Sequence, residues 1–276
     1  MNEQAVTFGE SGALFGVLSI AENHLTTRPI VLIPSTGIDH RIGPGRLHVE
    51  LARMLALRGY SCLRLDNAGL GDSERVPGRS ANAYAPDLRA AMDLLDGHLN
   101  GAGYVIIGFG SGAHDAHQAA RVDTRVVGLA FVDGYVYGTR RSWMNSALHQ
   151  LGQIQPTTPM TTRPLSKLSS PHGYALHGVG NDDLRFFRVP PRRQMLGDLT
   201  DFIRRELSLY YLYTGQTQGS YTYAGQLLDG FPLLRGYPGL ELRHTPELQY
   251  RYPTRQDRDA LIRLLGDWVA ELPARR

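Results

Sequence analysis

The stretch Tyr104-Val-Ile-Ile-Gly-Phe-Gly-Ser-Gly-Ala-His-Asp-Ala-His-Gln-Ala-Ala120 decides how the chain is read. Residues 104–107 form a short, continuous apolar run, as expected of a strand buried on both faces. Gly108-Phe109-Gly110-Ser111-Gly112-Ala113 is a tight turn, and a helical pattern follows it. Two motifs compete for this turn. Read as G-x-G-x-x-A, Gly108, Gly110 and Ala113 form a dinucleotide-binding turn that brings a pyrophosphate to backbone N–H groups at a helix N-terminus. Read as G-x-nucleophile-x-G, the turn is a strained elbow that projects one side chain above a sheet. The nucleophile position then holds Gly110, which has no side chain to attack with.

Outward from this turn, strands and helices alternate. Val6–Ala21 alternates apolar and polar residues around glycine turns and is predicted to be a hairpin. Arg28–Gly37, Ser61–Ser73 and Arg125–Tyr135 each contain a short apolar run ending in a small-residue turn. Gly45–Tyr60 and Ala81–Leu99 have helical periodicity. From Val136 to about Arg205 the rhythm breaks in a segment rich in Pro, Thr and Ser. Leu207–Gly215 and Leu240–His244 resume the strands, and Arg255–Leu272 is a last amphipathic helix. This order predicts a mostly parallel sheet flanked by helices, with a core of 1–136 and 206–276 and an inserted cap over 137–205. The dinucleotide alternative requires its fingerprint in the first βαβ unit, but two strands with their own glycine turns come earlier. The ribose-binding acid is expected about 20 residues on, and the nearest strand-end acid, Asp133, falls slightly late.

The 276 residues suffice for one large α/β domain. Net charge is +3 and nearly all cationic residues are arginine, with Lys167 the single lysine. No dense basic run with interleaved aromatics is present, which argues against nucleic acid as a partner. Cys62 is the one cysteine, so no disulfide forms within the chain. The N-terminal stretch has no basic-then-apolar segment, and no apolar run is long enough to span a membrane. A cytoplasmic protein is expected.

Several runs resemble the α/β-hydrolases. Leu63–Glu74, "LRLDNAGLGDSE", looks like the turn that follows their fourth strand, and "VLIPSTG" (Val31–Gly37) sits where their oxyanion turn follows the third. The resemblance is closest to bacterial serine-aminopeptidase-like hydrolases and extends to the exosortase-associated hydrolases. It rests on the run Gly37–Ser73, on "PPRRQM", on "YTYAGQ" and on the closing "RDALIRLLGDWV". In that group the elbow commonly reads G-x-C-S-G-A, and here Gly110 stands at the cysteine. The resemblance implies the α/β-hydrolase fold and, through the usual gene neighbourhood of these hydrolases, a link to surface-polysaccharide biosynthesis.

Hydrolysis on this fold needs a nucleophile, a histidine base and an orienting acid. Gly110 replaces the nucleophile. Alignment on Arg258-Asp259-Ala260 puts Tyr250 at the base position, and a phenol with a pKa near 10 is a poor base at neutral pH. The acid is expected after the strand that ends near Gly215. Leu207–Leu228 has no Asp or Glu, and Gln216 stands there. Loss of one triad member removes most of the value of the others, so the three changes are mutually consistent. The resulting expectation is a non-hydrolytic binding or accessory protein for a small molecule, glycan or acyl ligand, without a cofactor. The enzymatic alternative is an ester or amide hydrolase using Ser111, His244 and Asp133.

The expected pocket and oxyanion turn comprises Ser35, Thr36, Gly37, His40, Arg41, Ser111, Tyr221 and Tyr223. Arg41 is either an anion holder or a structural anchor of its loop. The tyrosines would supply stacking surface and neutral hydrogen bonds. His114 and His117 share a helix face, but H-x-x-H without a third ligand is unspecific, and no metal is expected.

Overall fold

The computed structural model describes residues 2–37, 39–76, 84–152, 189–217, 220–249 and 251–273. Its strands are β1 (Asn2–Phe8), β2 (Leu14–Ile20), β3 (Ile30–Pro34), β4 (Cys62–Asp66), β5 (Tyr104–Phe109), β6 (Val126–Val132), β7 (Ser208–Thr214) and β8 (Leu240–Thr245). They form one sheet in the order β1-β2-β4-β3-β5-β6-β7-β8. The β1–β2 hairpin joins β4 antiparallel, and every other pairing is parallel.

The apolar runs explain this layout. All of β3, β4, β5 and β7 is buried, as strands covered on both faces must be. Successive side chains alternate between faces. Tyr104 and Ile106 of β5 therefore enter one core, while Val105, Ile107 and Phe109 enter the other. The helices α1 (Leu47–Leu57) and α7 (Arg255–Ala270) cover the second core with Leu47, Leu51, Leu55, Leu261, Leu265 and Trp268. The Thr254 hydroxyl caps α7 by accepting from the Asp257 N–H at 3.0 Å. The first core is covered by α2 (Ala85–Asp96), α3 (Gly112–Val122) and α5 (Arg192–Arg204).

Most of the expected cap falls on residues 153–188, outside the described residues. Its flanks are α4 (Arg140–Gly152) and α5. The α5 flank inserts Met195, Leu199 and Phe202 into the first core, all fully buried. A short α6 (Gln226–Gly230) follows β7. Counted among the parallel strands alone, the sheet order is 2-1-3-4-5-6, with the glycine turn after the third of them. Dinucleotide domains run 3-2-1-4-5-6 and carry their fingerprint after the first strand. The arrangement around Gly108, Gly110 and Ala113 therefore differs from what the dinucleotide alternative requires.

Candidate functional site

In an open α/β sheet, ligands bind beyond the carboxyl ends of the strands where the chain order reverses. That point lies between β3, which leads to β4 on one side, and β5, which leads to β6 on the other. Two turns meet there, Ser35-Thr36-Gly37 and Gly110-Ser111. Gly110 has φ +50°, in the left-handed region, and donates its N–H to the Val132 carbonyl at 2.8 Å. Among the described residues, a Cβ on Gly110 would find only the Thr36 Cγ2, at 3.6 Å. Two residues earlier, a Cβ on Gly108 would lie 2.5 Å from the N and Cα of Ala113. Gly108 thus lets β5 and α3 touch through backbone, while Gly110 is the tip, where a side chain has room and none exists.

Ser111 is turned inward. Its Oγ accepts the Gly37 N–H at 2.7 Å. The neighbouring Thr36 N–H goes to the Asp39 carbonyl at 3.2 Å. These two backbone donors of the turn after β3 are therefore both engaged. Ser35 ties the turn to β4: it donates its N–H to the Leu65 carbonyl, and its Oγ accepts the Asn67 N–H at 3.0 Å. The Thr36 Oγ1 is buried with no partner among the described residues.

Asp133 stands beside Gly110, because the β5–β6 register ends on Phe109 and Val132 and each residue follows its strand directly. Its φ is +51°. The carboxylate accepts the Thr214 N–H at 2.7 Å, the Thr214 hydroxyl at 2.6 Å and the Tyr252 hydroxyl at 2.7 Å. Burial pushes the Asp133 pKa up, and the bonds from Thr214 and Tyr252 pull it back. Burial, followed by the Asp133 charge, holds the Tyr252 phenol well above its usual range. The phenol therefore stays a donor.

The sequence placed the base position at Tyr250, which lies outside the described residues. Tyr252, two residues on, is the tyrosine that takes the acid, and only the fold brings it to Asp133. Gln216 lies in the turn Gly215–Thr217, and its side chain is outside the described set. Tyr252→Phe is expected to cost about 1–3 kcal/mol at neutral pH by stripping a donor from a buried carboxylate. Because the folded Asp133 pKa lies above 3.8, the folded state holds the extra proton in that window, and stability falls as pH rises through it. The variant widens the window. Its urea midpoint should therefore approach that of the parent near pH 4 and fall furthest behind it at pH 7.

His244 lies within β8, in register with Tyr213, its ring edge-on to Tyr221 at 5.1 Å and 71°. Burial lowers its pKa. No hydrogen bond joins any two of Ser111, His244 and Asp133 among the described residues, because each side chain faces a different neighbour: Gly37, Tyr221, or Thr214 and Tyr252. The enzymatic alternative needs these three in contact.

His40 is exposed, and of the two readings of Arg41 its contacts match the loop anchor. The Arg41 guanidinium pairs with Asp66 and with Asp72 (2.6 Å), and it lies 4.4 Å from the centre of the Phe15 ring. It anchors its loop to the β4 turn. Tyr221 is buried against Tyr213, with ring centres 3.7 Å apart, and donates to the Ala224 carbonyl. Tyr223 is half-buried and bridges Thr139 and Asp229. Both tyrosines brace the loop after β7.

His114 and His117 converge on the Tyr135 hydroxyl through their Nδ1 atoms at 2.8 and 3.2 Å, and the His117 Nε2 lies 3.0 Å from Asp198. This is a link between α3 and α5. No group of three or more metal-ligating side chains occurs among the described residues. His48, which sequence patterning did not single out, lies fully buried on α1, stacked on Phe109 at 4.8 Å. Neither ring nitrogen has a partner among the described residues. Burial first, then the charges of Arg64 and His40, lowers its pKa to about 3.

The chain has the α/β-hydrolase fold. An esterase from Pyrococcus furiosus superimposes over 98% of this chain and 90% of its own, with a TM-score of 0.60 and 12% identity. The esterase domain of a Rhodothermus marinus protein matches over 97% of each chain, with a TM-score of 0.55 and 17% identity. An Agrobacterium tumefaciens protein of unknown function, described as a candidate α/β-hydrolase, covers 98% of this chain and 95% of its own, with a TM-score of 0.57 and 14% identity. No protein-family model and no curated protein sequence matches the chain.

Proposed function

We propose that this chain is a non-hydrolytic α/β-hydrolase-like protein that binds a small molecule, glycan or acyl ligand at the paired turns Ser35–Gly37 and Gly110–Ser111. One observation carries this reading. The elbow tip is a bare glycine, and the adjacent hydroxyl, Ser111, is held by the Gly37 N–H at 2.7 Å instead of by an imidazole. The pairing of Asp133 with Tyr252 supports the same conclusion, because a phenol held above its usual pKa takes no proton from a nucleophile. The Thr36 hydroxyl, without a partner among the described residues, offers a ligand a neutral hydrogen bond in place of chemistry. A role in surface-polysaccharide biosynthesis enters this reading through the resemblance of the Gly37–Ser73 run alone.

The test is turnover of p-nitrophenyl acetate and butyrate by the purified protein. We expect the buffer rate, unchanged by Ser111→Ala. Gly110→Ser should restore no turnover either, since a hydroxyl without a base gains little. An alkyl glycoside or fatty-acyl amide that raises the Tm at saturation would identify the ligand class. Turnover abolished by Ser111→Ala would establish the hydrolase alternative instead.

A further inference from the structure

The helix α4 turns large apolar side chains outward. At 3.6 residues per turn, Trp143, Ala147, Arg140, Met144 and Leu148 share one arc of about 140°. Trp143, Met144 and Leu148 are 52%, 64% and 65% exposed. The opposite arc is polar and faces the protein: Ser142 is buried, and Asn145 donates to the Thr222 hydroxyl at 3.3 Å. Surface helices ordinarily bury the apolar stripe and expose the polar one.

The charge on α4 itself is positive: Arg140 lies on the arc and Arg141 at its edge, and both are exposed. The start of α5 adjoins α4, since Arg192 donates to the Gly138 carbonyl at 2.8 Å. It adds the exposed Arg193 and the 45% exposed Leu196. The near carboxylate, Asp229, already accepts from Tyr223 and Arg235.

We infer that α4 docks flat on an anionic lipid surface, its apolar arc entering the headgroup boundary and Arg140 and Arg193 lying against lipid phosphates. A Trp with flanking arginines on an exposed apolar arc suits a bilayer interface. A second copy fits less well, because a two-fold contact through this arc would bring identical cationic faces together. Both α4 and the Gly110 turn follow the carboxyl ends of neighbouring strands, β6 and β5.

Trp143 reports directly on this docking, because the other tryptophan, Trp268, is 5% exposed and responds little. The full chain is mixed with phosphatidylcholine vesicles, with and without phosphatidylglycerol, and followed by co-sedimentation and tryptophan emission. Binding and a blue shift are expected with the anionic vesicles, weakening with salt. Arg140→Gln should weaken binding about fivefold, and Met144→Ser combined with Leu148→Ser by about tenfold or more. These positions are exposed, so the fold should persist, as far-UV circular dichroism will check. The inference is overturned by absent binding, or by equal binding to both vesicles. It is also overturned by a vesicle-free dimer lost in the same variants, or by Trp143 shielded from iodide in the free monomer.

Discussion

His48→Leu is expected to flatten the acid limb of the unfolding curve. The His48 pKa is about 3 in the folded protein, against 6.5 for a free imidazole, because the ring is fully buried, without a partner for either nitrogen among the described residues, and faces the charges of Arg64 and His40. The unfolded chain therefore binds the extra proton between these values, so stability rises with pH across that window and is lost as pH falls from 6.5 toward 3. A separation of this size corresponds to a loss on the order of 5 kcal/mol over the full interval, which is comparable to the net stability of an ordinary domain. Leucine cannot be protonated, so the variant should match the parent at pH 7 within about 1.5 kcal/mol and exceed it by several kcal/mol near pH 4. Urea melts at a series of pH values check this. Parallel pH profiles for the two proteins would show that the ring is hydrated and titrates normally.

The second large effect separates two glycines of the elbow. Gly108→Ala forces a Cβ to within 2.5 Å of the backbone of Ala113, and backbone cannot step aside as a side-chain tip can. Overpacking of this kind costs upward of about 3 kcal/mol, a large share of the net stability of a domain. At Gly110, alanine meets only a methyl at 3.6 Å among the described residues, and its cost is the left-handed backbone at φ +50°, about 1–2 kcal/mol. Soluble yield and urea midpoints distinguish the two. Near-equal losses would mean that the tip is not open to a side chain.

The frame was legible because apolar periodicity is a local property. Each strand from β3 to β8 falls on a run identified by pattern, and the reversal of order between β3 and β5 follows from the family-like turns. The elbow glycines were legible for the same reason. What patterning missed was set by distant partners. Arg41 looked available until Asp66 and Asp72 were seen to hold it. Tyr252 gains meaning only because Asp133, on the other side of the cap segment, comes within 2.7 Å. His48 lies between Leu47 and Val49, with nothing in the local sequence to mark its burial on Phe109. The α5 segment was grouped with the cap because its neighbours are rich in proline, yet Met195, Leu199 and Phe202 repeat at helical spacing and complete the first core.

The most direct test of the elbow is the intact mass of the protein after incubation with a fluorophosphonate probe. Gly110 offers no atom to phosphorus, and the Ser111 Oγ is hydrogen-bonded to Gly37 with no imidazole bonded to it among the described residues. The expected result is an unmodified mass at probe concentrations that fully label an active serine esterase. A stoichiometric adduct mapping to Ser111 would contradict the account.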